Sequence, residues 1–374
     1  MKIVLAFDSF KGSVGAAEAC AIARRTLLAV HPDWEVVSKP MADGGEGTAR
    51  ILCDALGGQW IPERVMGPLP SMQVEAGYAW VSARRLAIIE MATASGLTLL
   101  RPTERNPLLT TTYGTGQLLA AALRRRPDRI WLALGGSATV DGGVGAAAAL
   151  GWEFLDADGR PVKPGGGNLV SIRTIRPPRT HAGVPVEVLC DVDNPLCGPQ
   201  GAAAVFGPQK GATPAMVAEL DAGLRILAER VVQHLHTDIL NVPGAGAAGG
   251  LAAGALAFFQ GRLVSGIDCI MDAVGLPAAL RGADWLITGE GSFDAQSMHG
   301  KVVAGVARAA QQAGTRVAVI AGQVALSAAD FRRAGIESAW ALRPPGMPLP
   351  QAIAEAPRLL ADRTRECASR FLAV

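Results

Sequence analysis

The chain has 374 residues, 49% of them hydrophobic and 5% aromatic, and a formal net charge of +2. That length exceeds one ordinary core and predicts two domains. The apolar fraction excludes disorder, and the near-neutral charge argues against a nucleic-acid partner. Six dispersed cysteines form no CxxC pair, which argues against a zinc knuckle and for free thiols. KIVLAF at the start reads as a strand, without a basic n-region and cleavage site, and no uninterrupted apolar run is long enough for a bilayer. A soluble cytoplasmic protein without a membrane partner is expected.

KIVLAFD (2–8) reads as a buried parallel strand, SVGAAEACAIARRTLLAV as a helix, EVVSKPM (35–41) as a second strand and GEGTARILCDAL (45–56) as a second helix. This rhythm opens a doubly wound sheet. Beyond Gly67-Pro68 the texture changes: MQVEAGYAWV (72–81) and RLAIIEMA (85–92) predict an antiparallel pair. Helix TGQLLAAALRRR, strand RIWLALG, a glycine-rich turn, helix AAAALG and a Pro/Gly-rich excursion follow. From about Asp284 the first rhythm returns: ADWLITGEG, KVVAGVARAAQQAG, TRVAVIAGQ, SAADFRRAG, SAWALRP and a closing helix. The fold class is therefore α/β. One domain is built from both chain ends (1–66 and 284–374) and a mixed α/β domain (67–283) is inserted, with a small-molecule site expected in the cleft between them.

The strands of the split domain end in polar or glycine clusters, at Asp8-Ser9, Asp43-Gly44-Gly45, Gly289-Glu290-Gly291 and Gly322-Gln323. Open α/β sheets bind ligands at such ends. In FDSFKGS (7–13), Lys11 beside a helix N-terminus suits an anion; alternatively Ser13 is an N-cap and Lys11 is solvated. In MADGGEGT (41–48), Asp43 and Glu46 suit Mg²⁺ together with substrate phosphates, or cap the next helix. Arg105 is shaped to grip a carboxylate, or forms a surface ion pair. The basic run Arg124–Arg126 reads as a solvated helix end.

Asp191 and Asp193 share a face if the backbone is extended, and Asn194 precedes a proline. An acid there suits a general base or a metal ligand, or a structural turn. GAGAAGG (244–250) admits a ligand or lets helices pack closely, and His299 is read as a solvated or capping residue. In LGGSATVDGGVG (134–145) Asp141 is a lone carboxylate between glycines. No GxxxxGK[ST] occurs, no GxGxxG follows the first strand, and Ser292 is not central in a GxSxG elbow. Glycine-rich turns with acids and a few cations suit phosphoryl transfer. A small-molecule kinase is favoured, with a non-catalytic nucleotide-responsive binding protein as the rival.

FDSFKGS, MADGGEGT, EMATASGL, RNPLLTTTYGTGQL, GGSATVDGGVG, CDVDNPLCGPQGAAAVFGPQKGA, GAGAAGG and ITGEGSFDAQSMHGK together resemble the bacterial type of glycerate kinase, in order and spacing. The resemblance implies a flavodoxin-like doubly wound parallel domain and a restriction-enzyme-like inserted domain. It further implies ATP-dependent phosphorylation of D-glycerate with Mg²⁺, at the 2-hydroxyl to give 2-phosphoglycerate, with 3-phosphoglycerate as the alternative. On that reading Arg105 holds the substrate carboxylate, Asp191 is base or hydroxyl orienter, and Ser9, Asp193 and Asn194 lie on the substrate side. Lys11, Gly135, Gly136, Ser137, Thr139 and Gly289 contact phosphates, and Asp8, Asp43 and Glu290 hold the metal. Two departures stand out: Phe7 where the family commonly has proline, and Val140 where it usually has asparagine. A homo-oligomer is compatible with the sequence.

Overall fold

The computed structural model describes residues 1–10, 12–179, 183–298 and 302–371. The chain divides into two compact units, Met1–Asp43 with the segment from Ile267 onward, and Gly44–Gly266. Among the described residues no helix is long and apolar enough to cross a membrane.

In the first unit, five parallel strands lie in the spatial order Ser338–Ala341, Arg316–Ala321, Trp285–Gly289, Lys2–Phe7, Glu35–Ser38. Numbered along the chain within the unit, this is 2-1-3-4-5 read from the far edge, the flavodoxin-like order. The central strands are continuous apolar runs because helices cover both faces of such a sheet. Helices Ala16–Val30, Val302–Gln312 and Ala356–Phe371 supply that cover. Leu5, Phe7, Leu27, Trp285, Ile320 and Leu360 belong to the core they close.

The second unit holds a six-stranded mixed sheet, ordered Gly261–Val264, Val186–Leu189, Arg129–Ala133, Leu86–Glu90, Gln73–Val81, Gln59–Met66. The expected antiparallel pair is present, with Ala79 opposite Ile88 and Val81 opposite Leu86. Helices Tyr113–Leu123, Val144–Ala149, Pro214–Leu235 and Ala247–Phe258 complete this unit; the long Pro214–Leu235 helix carries a Thr213 N-cap that accepts from the Met216 N–H.

The crossings between units fall at 43/44 and 266/267, not at the expected 66/67 and 283/284. Gln59–Met66 pairs antiparallel with Gln73–Val81 over its whole length, which ties it to the second sheet. The preceding helix Thr48–Ala55 goes with it, because the Glu90 carboxylate accepts from the Gly47 and Ala49 N–H groups at 3.1 Å each. At the other end, Gly305 of helix Val302–Gln312 sits so close to Ile267 that a Cβ would lie 2.5 Å from its side chain. Helices Gly266–Val274 and Leu276–Leu280 therefore follow the first unit from Ile267 onward.

Gly249 has φ of +66°, and a Cβ there would stand 1.9 Å from the Thr139 carbonyl oxygen, whereas Gly159 at φ +75° has open space around it. Gly159→Ala should cost only the left-handed penalty, about 1–2 kcal/mol. Gly249→Ala adds a backbone collision and should cost more than about 4 kcal/mol. Urea unfolding of the two variants measures the difference.

Candidate active site

In the first unit, the strand order reverses between Lys2–Phe7 and Trp285–Gly289, and Asp8 and Glu290 follow those two strands directly. The chain pins both corners: the Asp8 N–H donates to the Gly289 carbonyl at 2.9 Å and the Gly322 N–H to the Glu290 carbonyl at 3.0 Å. The Asp8 carboxylate accepts from the Ser9 N–H at 2.6 Å. Asp8 and Glu290 are buried and Asp43 is half-buried. All three, with Ser9, Ser13 and Gln323, line one pocket of about 390 Å³. Four strand ends that are far apart in sequence thus meet, as expected from open parallel sheets. The three acids were expected as metal ligands. Among the described residues no three acidic, thiol or imidazole groups cluster tightly enough to hold an ion by themselves. The donor set fits Mg²⁺ only in its usual manner, with one or two carboxylates and the rest of the shell from water and phosphate.

In the second unit the glycine-rich loop is organised by Asp141, which is 1% exposed. Its carboxylate accepts from the Thr112 N–H at 2.8 Å, the Thr112 hydroxyl at 2.9 Å, and the Gly143 and Gly145 N–H groups at 3.2 and 3.3 Å. Those donors belong to the N-terminal ends of helices Tyr113–Leu123 and Val144–Ala149, so one carboxylate closes both helix starts. Burial pushes the Asp141 carboxyl above the usual carboxylate range, opposed by these same hydrogen bonds.

Lys210 is the cation of this region, 1% exposed. Its ammonium donates to the Ser137 hydroxyl and to the Thr139 carbonyl, each at 2.7 Å. Burial pushes it down to about 7, with the Asp141 charge acting in the opposite sense. In CDVDNPLCGPQGAAAVFGPQKGA, Lys210 follows the second of two GPQ triplets, and nothing in that spacing announces a buried lysine. Gly211, at φ +92°, brings this segment against Arg105: a Cβ there would lie 2.4 Å from the Arg105 carbonyl oxygen. Arg105 Nε and Thr139 Oγ1 are buried and have no hydrogen-bond partner among the described residues. Arg105 forms no ion pair with a described residue, so its surface salt-bridge alternative finds no support there.

The expected phosphate loop carries part of its polarity inward. The Gly135 and Ala138 N–H groups donate to the Gly44 and Ser95 carbonyls. Gly135 packs on Gly45, where a Cβ would meet its Cα at 2.5 Å, and Gly136 lies against the Glu46 carboxylate. Close packing of the two Asp-Gly-Gly loops therefore accounts for these glycines. Gly289 is the last strand residue, and a Cβ there would stand 1.7 Å from the Ile320 carbonyl oxygen. GAGAAGG likewise packs on backbone, with the Gly142 N–H donating to the Gly249 carbonyl.

Asp191 is half-buried and accepts from the Gly266 N–H at 2.9 Å and the Ser265 hydroxyl at 3.4 Å. The strand Val186–Leu189 ends before it, and Asp193 is exposed. Asn194 donates to the Gln200 carbonyl at 2.8 Å and thereby holds its own turn. The departures Phe7 and Val140 are both fully buried members of apolar cores. Lys11, His299 and Lys301 lie outside the described residues.

A family model described as the glycerate kinase family matches residues 3–372. The chain is 44% identical to a glycerate kinase of Halalkalibacterium halodurans over 98% of this chain and 97% of the relative. It is 42% identical to a glycerate 2-kinase of Escherichia coli, over 91% and 90%. A crystal structure described as glycerate kinase 2 of Salmonella typhimurium superposes with a TM-score of 0.84 at 40% identity, covering 100% of this chain and 98% of that one. Matches of this identity and coverage, on this arrangement of loops, place the chain in the glycerate kinase family.

Proposed function

We propose that this protein transfers the terminal phosphoryl group of ATP to the 2-hydroxyl of D-glycerate, giving 2-phosphoglycerate and ADP. The observation that carries the reading is the buried Lys210 held against Ser137 and Thr139, with the Arg105 backbone packed on the adjacent Gly211, in a chain that the family matches over residues 3–372. The name glycerate 2-kinase borne by the Escherichia coli relative supports the 2-hydroxyl over the 3-hydroxyl. An ATP-using enzyme of this kind would work in the cytoplasm.

Arg105 offers the planar donor pair that a carboxylate takes bidentately. Lys210 fixes the loop 137–139 and adds positive charge beside it. Asp191, oriented by Ser265 and Gly266, accepts the proton of the 2-hydroxyl as its oxygen bonds to phosphorus. The bond from phosphorus to the ADP oxygen breaks, and ADP leaves with that electron pair. Asp8, Asp43 and Glu290 would hold Mg²⁺, which when bound neutralises charge on the phosphates. Ser9 is a candidate donor to the substrates.

Incubation with ATP, Mg²⁺ and D-glycerate should release ADP, and phosphorus NMR should show 2-phosphoglycerate; a 3-phospho product would overturn the regiochemistry. Asp191→Asn keeps an oxygen for the Gly266 N–H and should melt within a few degrees of the parent. Its kcat should fall by at least about 100-fold.

Lys210 has an ordinary value of 10.5 and a folded value of about 7. Between these the unfolded chain binds the extra proton, so this group adds stability as pH rises, by at most about 1.4 kcal/mol per pH unit. Melting temperatures at pH 6.5, 7.5 and 8.5 should show the parent gaining on Lys210→Met as pH increases. A constant gap would mean that Lys210 does not titrate in this window.

A further inference from the structure

We propose that the first unit's pocket, at the carboxyl ends of its parallel strands, is the nucleoside subsite, where the base of the adenine nucleotide lies on an apolar wall. The proposal deepens the kinase reading and rests on it for the identity of the nucleotide.

The wall is the first observation. Eight large hydrophobic side chains among the described residues are exposed, and two of them, Leu349 (56%) and Ile353 (38%), line this one pocket. Both stand on the short helix Leu349–Ala354, and Phe10 and Leu342 continue the apolar lining. Apolar side chains left open inside a concavity favour a flat, weakly hydrated ligand over water. The wall is anchored to the loop after the first strand, since the Ser13 hydroxyl donates to the Ile353 carbonyl at 2.9 Å.

The acids are the second observation. Asp8, Asp43 and Glu290 line the same pocket against one cation, Arg343, whose Nε is turned to the Met347 carbonyl, so a small carboxylate such as glycerate would meet an excess of like charge there. An uncharged base escapes that repulsion. The pocket, at about 390 Å³, is also roomier than a three-carbon acid requires. Its place at the reversal of strand order is where open α/β sheets take nucleotides. The second unit argues the same way by contrast: its Arg105 has a buried Nε without a partner among the described residues and suits the carboxylate, and its glycine loop has Glu46 against it.

The test uses the double variant Leu349→Asp/Ile353→Asp in the full chain, with Val232→Asp, an exposed position in the second unit, as control. Calorimetry with ADP and with adenosine should show both binding the parent, and both weakened more than about tenfold in the double variant but not in the control. KM for ATP should rise by a similar factor, with KM for glycerate within about twofold of the parent. Ile353→Ala provides a milder probe if the double variant does not fold, and should weaken adenosine severalfold. Unchanged ADP and adenosine affinity, or a rise in KM for glycerate alone, would overturn the proposal. Weakened ADP binding in a protein that does not phosphorylate glycerate would sustain the subsite and remove the acceptor assignment. Normal turnover with an unmoved KM for ATP would do the reverse.

Discussion

One buried carboxylate organises the second unit. Asp141 is shielded from solvent, so its charge must be met by donors fixed in the fold. Those donors are the first N–H groups of two helices and a threonine hydroxyl, and each can reach only if the backbones approach closely. Gly116 permits the approach of the two helices, since a Cβ there would fall 2.3 Å from the Ala146 carbonyl oxygen. Lys210 then adds the balancing charge from a third segment and ties down Ser137 and Thr139. The glycine density of the loop is thus a consequence of gathering several backbones around one anion.

The first unit works by a different constraint. A parallel sheet sends all its strands in one direction, so every strand-to-helix turn opens on the same edge. Asp8, Asp43, Glu290 and Gln323 come from four such turns and line one pocket. The first unit offers a pocket rich in acids and apolar side chains, and the second holds a buried lysine and a buried carboxylate under its glycine loop.

Much of this is legible along the chain. The apolar run KIVLAF, the return of strand and helix alternation after Asp284, and the hairpin-like pair after Gly67-Pro68 predict the strands that form. The acids at strand ends are legible too, because the character of a parallel strand end is local. The boundaries are not. Whether Gln59–Met66 joins one sheet or the other depends on a pairing partner that the segment itself does not encode. Lys210 is also invisible locally, since an isolated lysine in a glycine-rich segment ordinarily points into water.

The amino-acid sequence by itself determined the α/β class, the two alternating stretches at the chain ends and the residue types available for phosphoryl transfer. These follow from periodicity and local backbone preference, which operate over a few residues. Only the tertiary structure decided which glycines answer packing, which lysine is buried, and that Asp191 is half-buried while Asp193 is exposed. Those outcomes depend on long-range contacts and on the solvation each side chain loses, and neither is written in a residue's own neighbourhood.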